Sequence, residues 1–328
     1  MDPFKAFLIR READGVRGAF TELREPDLDA GDVDVDLTHA SINFKDSLAA
    51  TGRGPIIRRF PCVGGIDAVG TVTASRSPRF TAGEAVIVHG HGFGVSHHGD
   101  YAQRARVPAD WVNRIPPGMT PLQAITIGVA GYTAALAVEL MEQNGLRPGK
   151  GPVLVNGASG GVASVAIDLL AQRGFEVVAA TRKLAERDYL VGLGAAQVVD
   201  AATLPQGSKP LESAQWQGAV DSLGGAPLAA LTRTMQREGV IASIGNAAGI
   251  EFSTTVMPFI LRGVRLIGVN SDNDTDTRDH LWQRLGSDLR PQRLERIAQV
   301  HPFAELPRML DEVVNGRIRG RTIIELRG

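Results

Sequence analysis

Cysteine and excess charge are both scarce in this 328-residue chain. Cys62 is the only cysteine, which excludes an intramolecular disulfide and a zinc site built from several cysteines, and is typical of a reducing compartment such as the cytoplasm. The chain has 35 Lys and Arg and 36 Asp and Glu, which give a formal net charge of -1. This balance gives no reason to expect nucleic acid or an anionic membrane surface as a partner.

Long uninterrupted hydrophobic runs are also lacking. The longest apolar stretch, Ala124 to Met141, is interrupted by Glu139, threonines and two glycines, so it predicts a buried helix at a domain boundary and not a membrane span. The N-terminal segment carries charge after a short apolar run, which predicts no signal peptide. The length and the 43% hydrophobic content are typical of a globular protein with two domains.

The pattern along the chain changes near Leu122. Before it, short β-prone segments separated by Gly, Pro and Asp turns predict a compact barrel-like domain: Phe4 to Arg10, Val33 to Ala40, Ala68 to Ala74 and Ala85 to His89. After it, alternating strands and helices predict an α/β fold with a parallel sheet. The expected strands are Val153 to Val155, Glu176 to Thr181, Gln197 to Asp200, Gly218 to Asp221, Gly239 to Ile244 and Val264 to Gly268; the expected helices are Ala185 to Gly192 and Leu228 to Met235.

The C-terminal part follows a different plan. Ser271 to Asp279 is polar and predicts a loop, whereas Phe303 to Val314 has the spacing of an amphipathic helix. Arg321 to Leu326 predicts a strand that rejoins the first domain. We therefore expect a first domain of residues 1–122 completed by about 296–328, and a second domain of residues 123–295.

A glycine-rich turn opens the parallel-sheet region. Gly157, Gly160 and Ala163 follow a short apolar strand and precede residues at helical spacing. In such a turn the backbone can approach a ligand closely, and the helix N-terminus offers free N–H donors to a pyrophosphate. The turn predicts a dinucleotide site formed by Ala158, Ser159, Gly160, Gly161 and Val162. A plain strand-to-helix turn is the alternative, because the spacing is not the standard G-x-G-x-x-G.

The end of the next predicted strand indicates which dinucleotide is bound. An acidic residue there holds the ribose of NAD, whereas basic residues accommodate the additional phosphate of NADP. Here the strand ends in Thr181, Arg182 and Lys183, a hydroxyl and two cations that suit a 2′-phosphate. The sequence therefore favours NADPH, the alternative being a solvated basic helix start.

Six stretches resemble one known family: Ser41 to Gly54, Gly64 to Val72, Ser77 to Gly90, Asn156 to Ser164, Thr254 to Ser271 and Ile318 to Leu326. They are similar to the medium-chain dehydrogenases/reductases, and within them to the acryloyl-CoA reductases, a group also labelled quinone oxidoreductases. The resemblance implies a GroES-like catalytic domain, a Rossmann domain with a doubly wound parallel sheet, and a homodimer. It also implies NADPH-dependent reduction of an activated C=C bond, with further cofactor contacts at Gly245, Asn246, Val269, Asn270 and Ser271.

The resemblance also bears on metal binding. Zinc-dependent relatives place a cysteine and a His-Glu pair on the metal, where this chain has Asn43 and the run Gly65–Ile66–Asp67. The four-cysteine structural lobe is missing too. Four histidines lie in or beside a glycine-rich loop without a matching ligand set: His89, His91, His97 and His98. We expect loop residues there and no metal.

The domain cleft is the expected substrate site. Asn43, Asp46, Asp67 and Arg321 match polar positions that face it in the family, although a purely structural ion pair of the two aspartates with Arg321 is an equal alternative. Phe44 takes a place where relatives often carry tyrosine, and phenylalanine has no proton to donate.

Three functions remain open. The first is reduction of a short enoyl-CoA, for which Arg53, Arg58 and Arg59 are candidate contacts for the CoA phosphates, or simply a solvated basic loop. The second is reduction of a quinone or enone on the same scaffold. The third is a non-catalytic NADPH-binding protein, such as a redox sensor.

Overall fold

The structure is a computed structural model that describes residues 2–327. Its strands are β1 (Phe4–Glu12), β2 (Gly15–Leu23), β3 (Val33–Ile42), β4 (Cys62–Val63), β5 (Asp67–Ser75), β6 (Ala85–His89), β7 (Arg104–Val107), β8 (Val112–Arg114), β9 (Val153–Asn156), β10 (Val177–Thr181), β11 (Gln197–Asp200), β12 (Trp216–Asp221), β13 (Met235–Ser243), β14 (Arg265–Gly268), β15 (Ala298–Pro302) and β16 (Arg321–Glu325). Its helices are α1 (Phe44–Ala50), α2 (Pro121–Gln143), α3 (Gly161–Gln172), α4 (Arg187–Gly192), α5 (Gly225–Thr234), α6 (Met257–Arg262), α7 (Thr275–Leu285), α8 (Leu294–Ile297) and α9 (Leu306–Val314).

The first of two compact units contains residues 2–129, 272–288 and 297–327. Its larger sheet has the order β15-β16-β3-β5-β6-β8, with β7 also paired to β3, and a smaller sheet has the order β2-β1-β4. The core between these elements is built from alternating apolar residues of the strands and the apolar face of α9. As expected, the C-terminal strand β16 returns to this unit and pairs antiparallel with β3.

The second unit contains residues 130–271 and 289–296. Its six strands are all parallel, in the order β11-β10-β9-β12-β13-β14. The strand order changes direction between β9 and β12, so these two strands flank the topological switch point. In open α/β sheets, ligands bind beyond the carboxyl ends of the strands at such a point.

Helix α2 is the long apolar segment that the sequence singles out. By length and composition it is the one helix among residues 2–327 that could cross a membrane, but 89% of its most apolar window is buried within the protein. It is therefore a core helix, as predicted. The helical backbone is broken at Gly128, where φ is 50° and ψ is -159°.

The predicted loop over Ser271 to Asp279 is wrong from Thr275 onward, where α7 begins. The Asp274 side chain accepts a hydrogen bond from the Thr277 N–H at 2.8 Å and caps the helix. Leu281 and Leu285 then bury the apolar face of α7 in the first unit. Asp, Asn and Thr favour turns, which is why the sequence predicts a loop here. The same residues are also good helix N-caps, and the apolar residues of the helix come only after them in the sequence.

This helix also changes the domain division. Residues 272–288 belong to the first unit by their contacts, whereas the expected division places 123–295 together. Five further strands, β2, β4, β7, β8 and β15, have no counterpart among the predicted strands. Their short or mixed sequences lack a clear alternation, and pairing with neighbouring strands stabilises them instead.

Candidate active site

The carboxyl ends of β9 and β12 are joined by two side chains that sequence reasoning did not select. Asn156 donates from its amide to Asp221, and its Oδ1 accepts from the Ser222 N–H at 2.7 Å. Asp221 also accepts from the Gly224 N–H at 3.0 Å, and burial raises its pKa. The signal in the sequence was a polar residue at the end of each of these two buried strands. The contacts fix the backbone on both sides of the switch point.

The glycine-rich turn begins one residue after Asn156. Gly157 has a φ of +58°, which favours glycine, and the Ala158 N–H donates to the Ala180 carbonyl at 3.1 Å. Gly160 is the N-cap of α3, and no side chain caps the helix there. The first N–H groups of α3, beginning with Gly161 and Val162, are therefore suited to an anion such as a pyrophosphate.

The end of β10 carries the predicted phosphate-binding residues. Thr181 is buried, and its hydroxyl oxygen accepts from the Lys183 N–H at 3.0 Å. Arg182 is exposed, and partial burial lowers the pKa of Lys183. Asp200 is paired with Thr181 in the neighbouring strand. Its carboxylate accepts a hydrogen bond from the Ala202 N–H at 2.9 Å. This end of the sheet thus presents a hydroxyl and two cations.

The remaining predicted cofactor residues follow β13 and β14. Gly245 and Asn246 come just after β13, and a Cβ at Gly245 would lie 2.5 Å from the Ser222 carbonyl oxygen, so glycine allows the two strand ends to approach. Val269, Asn270 and Ser271 follow β14. Because the strands are parallel, all the predicted cofactor residues lie at the same edge of this sheet.

In the first unit, Arg321 is the centre of a buried hydrogen-bonded network. Its side chain is 2% exposed, and its guanidinium forms an ion pair with the fully buried Asp67 at 3.1 Å. The same group donates to Ser41 Oγ at 2.6 Å, Asn43 Oδ1 at 2.8 Å and the Thr126 carbonyl at 3.2 Å. These contacts connect β16 with β3, β5 and α2.

Asn43 links this ion pair to Asp46. Its Nδ2 donates to Asp67 Oδ1 at 2.8 Å and to Asp46 Oδ2 at 3.1 Å, and its backbone N–H donates to Asp46 Oδ2 at 2.8 Å. The expected pair of Arg321 with both aspartates is thus formed directly by Asp67 alone. Asp46 acts through Asn43.

The carboxyl groups near Arg321 outnumber the single guanidinium. Burial, reinforced by the Asp67 carboxylate, raises the pKa of Asp46 to about 7. Burial also raises the pKa of Asp100 well above its usual range, and its oxygens have no hydrogen-bond partner among residues 2–327. When Asp46 and Asp100 are protonated, one carboxylate remains for one guanidinium, and no buried charge is left unpaired.

Gly128 and Val129 also belong to the network and were not predicted. The Val129 N–H donates to Asp67 Oδ2 at 2.8 Å, so Asp67 caps the second part of α2. A Cβ at Gly128 would lie 2.2 Å from Asp67 Oδ2 and 2.6 Å from Arg321 Nη2. Only glycine satisfies both this space and the positive φ.

Phe44, at the start of α1, is 42% exposed and presents an aromatic surface without a hydroxyl.

The histidines have defined places in the first unit. His89 is buried at the end of β6, and its Nε2 accepts from Trp282 Nε1 at 2.9 Å. The His91 ring stacks on Trp111 with centroids 5.5 Å apart. Within residues 2–327, no three His, Cys, Asp or Glu side chains are grouped as metal ligands would be. His89 ends β6, as in the predicted strand Ala85 to His89, so the expectation of a loop residue is wrong for this histidine.

Comparisons with known proteins agree with this architecture. Residues 29–117 match the alcohol dehydrogenase GroES-like domain, and residues 161–287 match the zinc-binding dehydrogenase family. The chain is 41% identical over 323 residues to "Probable acrylyl-CoA reductase AcuI" of Escherichia coli K12, covering 98% of this chain and 99% of that protein. It is equally identical, over 326 residues, to "Putative quinone oxidoreductase YhfP" of Bacillus subtilis, covering the same shares.

Solved structures are similar over the full length. The yhfP structure from B. subtilis with NAD bound has a TM-score of 0.96 and 40% identity, covering 99% of this chain and 100% of that one. The yhdH oxidoreductase from Salmonella enterica in complex with NADP has a TM-score of 0.95 and 41% identity, covering 98% and 100%. The chain belongs to the medium-chain dehydrogenase/reductase superfamily, and its relatives include proteins named acrylyl-CoA reductase and quinone oxidoreductase. The predicted family and fold are confirmed.

Proposed function

We propose that this chain reduces the C=C bond of a short α,β-unsaturated acyl-CoA, of the acryloyl-CoA type, with NADPH and without zinc. The observation that carries the proposal is the full-length similarity to a probable acrylyl-CoA reductase. The network around Arg321 supports independence from zinc, because Asn43 and Asp67 bind a guanidinium at the positions of the metal ligands in zinc-dependent relatives.

The cofactor edge of the second unit fits NADPH. The uncapped N-terminus of α3 suits the pyrophosphate. Thr181, Arg182 and Lys183 suit the 2′-phosphate, because no carboxylate competes for it directly after β10. Asp200 is engaged by its own helical turn. A relative of this scaffold has NAD bound, and the Kd values for NADPH and NADH test the proposed preference for NADPH.

With its pyrophosphate at α3, NADPH would supply the hydride for the β-carbon of the substrate. Negative charge then develops on the carbonyl oxygen, and the α-carbon requires a proton. In the structure, Arg321 and the Asn43 side chain are engaged with one another and with Asp67, so we assign them a positioning role. Backbone N–H groups are then the donors that we propose for the developing enolate. Phe44 cannot supply the proton, so water or another residue beside the substrate must supply it.

The decisive experiment is steady-state oxidation of NADPH with acryloyl-CoA beside a panel of quinones and enones. We expect acryloyl-CoA to give the highest kcat/KM, with activity unchanged after prolonged chelation by EDTA. A preference for quinones would support the second candidate, which the similarity to YhfP favours. No turnover with any acceptor would indicate a non-catalytic NADPH-binding protein.

The chemical step has its own test. Single-turnover reduction with C4-deuterated NADPH should place deuterium on the β-carbon, and reduction in D2O should place it on the α-carbon. Phe44→Tyr should change kcat less than about tenfold, because the site already obtains its proton without a phenol. A gain of several orders of magnitude would show that a phenolic acid is required.

The same proposal includes a homodimer formed through the edge of the second unit's sheet. Strand β14 pairs only with β13 among the described strands, and an open edge is a template for pairing with another chain. The adjoining segment exposes Ile250 by 83% and Ile260 by 68%, and exposed apolar side chains beside an open edge indicate an interface. Sedimentation equilibrium should give twice the monomer mass, and Ile260→Asp should shift it toward the monomer.

A further inference from the structure

A pocket opens in the first unit beyond the end of α1, away from the network around Arg321. Its volume is about 260 Å³. Two arginines and several apolar or aromatic side chains form its walls: Arg11, Val16, Ala49, Arg53, Ile57 and Phe60. Arg58 and Arg59, which the sequence suggested as phosphate contacts beside Arg53, are not among its lining residues.

The fold brings the two arginines together from distant parts of the sequence. Arg11 lies near the end of β1, directly opposite Val16 in the β1–β2 hairpin. Its guanidinium carbon lies 4.7 Å from the centre of the Phe60 ring. Arg53 follows α1, and its Nη1 donates to Asn315 Oδ1 at 3.0 Å. Both side chains are therefore oriented by neutral groups.

The charge of this pocket is not neutralised by its surroundings. Neither Arg11 nor Arg53 has an ion-pair partner among residues 2–327. The carboxylates of Glu12 and Asp14 on the hairpin are within ion-pair distance of Arg17. Two guanidinium groups facing one cavity repel each other, and a bound anion would remove that repulsion.

The combination of groups indicates the class of ligand. Guanidinium groups bind phosphates in a bidentate manner, and the half-buried Phe60 ring offers apolar surface beside a flat base. Helix α1 has seven residues and connects Asn43 to this pocket. It therefore spans about 10 Å at 1.5 Å per residue. A ligand that reaches both ends must carry its phosphates on a long arm, and the pantetheine arm of CoA separates thioester from nucleotide in this way.

We propose that this pocket binds the phosphorylated nucleotide end of the acyl-CoA substrate, with Arg11 and Arg53 on its phosphates and Phe60 beside its adenosine. The inference rests on the proposed reduction of an acyl-CoA. It adds to that function the residues that distinguish a CoA ester from a shorter thioester.

The kinetic test compares acryloyl-CoA with S-acryloyl-N-acetylcysteamine, which carries the same thioester without phosphates. Arg11→Gln and Arg53→Gln should each raise KM for acryloyl-CoA about tenfold, as expected for loss of one charge-assisted hydrogen bond, with kcat unchanged. Both constants for the truncated thioester should stay at wild-type values. Arg10→Gln is the matched control, because it removes the same charge from the neighbouring residue, whose side chain points to the opposite face of β1.

A loss that is equal for both thioesters would overturn the proposal, since the arginines would then act on folding or on the thioester itself. Unchanged KM for acryloyl-CoA in the double variant would also overturn it, as would an equal effect of Arg10→Gln. The same assay measures the reduction of acryloyl-CoA by the wild type. If the wild type reduces acryloyl-CoA and the arginine substitutions have no effect, only the proposed nucleotide site is contradicted, and the proposed reductase activity stands.

A binding measurement separates the pocket from catalysis. Adenosine 3′,5′-bisphosphate is titrated calorimetrically into protein saturated with NADP⁺, so that the cofactor site is already filled. The wild type should bind it, and the double variant should bind it at least tenfold more weakly. No binding to the wild type would overturn the proposal. Binding without any turnover of acryloyl-CoA would contradict the proposed function and leave the nucleotide site in place.

Discussion

Replacing Arg321 by methionine should destabilise the first unit more than its lost contacts suggest. Methionine fills much of the same space but leaves the fully buried Asp67 carboxylate without its counter-ion. The Thr126 carbonyl also loses the guanidinium as a donor. Removing one partner of a buried ion pair usually costs about 3–5 kcal/mol, because the other charge remains buried and uncompensated.

A double-mutant cycle combines this substitution with Asp67→Asn. The asparagine removes the charge but keeps an oxygen for the Val129 N–H. With Arg321 intact, this change leaves a buried cation and should also be strongly destabilising. In the double variant both charges are gone, so the total loss should be smaller than the sum of the single losses. We expect a coupling energy of about 2 kcal/mol or more between the two positions.

Urea unfolding followed by tryptophan fluorescence measures this coupling. Trp111 and Trp282 lie in the first unit and Trp216 in the second, so a Trp216→Phe background reports on the first unit alone. Additive losses, with a coupling energy below about 0.5 kcal/mol, would refute the view that Asp67 and Arg321 depend on one another for their burial.

Three further predictions concern other parts of the molecule. Gly128→Ala should lower the free energy of unfolding by about 2 kcal/mol or more, because its methyl group meets the buried ion pair at a positive φ. Gly145→Ala, also at positive φ but with open space around it, should lower the free energy of unfolding by less, and equal losses would contradict the explanation. Arg182→Ala/Lys183→Ala should raise Kd for NADPH at least about tenfold and leave Kd for NADH unchanged; wild-type Kd values that do not differ would refute the cofactor assignment. Folding raises the pKa of Asp46 from 3.8 to about 7, so the folded protein binds this proton more tightly than the unfolded chain does. The free energy of unfolding of the wild type, relative to that of Asp46→Asn, should therefore fall as the pH rises from about 4 to 7. A difference that does not depend on pH would show that folding does not raise the pKa of Asp46.

The parallel sheet and its cofactor edge were largely predictable because their signals are local. Buried parallel strands are short apolar runs, and the predicted cofactor residues lie at the end of these strands or shortly after it. The turn from Gly157 to Val162 and the cations after Thr181 could therefore be placed before any contact was known. Helix α7 was missed for the opposite reason, since Asp274 caps a helix whose apolar face appears only at Leu281.

The sequence by itself determined the family, the class of cofactor and the residue types at the candidate site. Only the tertiary structure decided how those residues are connected. Asn43, Asp67 and Arg321 lie in three distant segments. The ion pair of Arg321 with Asp67, and the hydrogen bond of Arg321 to Asn43, exist because β16 pairs with β3. Likewise, Arg11 and Arg53 face one pocket only through the β1–β2 hairpin and α1. The energy of a buried charge depends on its surroundings, and long-range packing sets those surroundings.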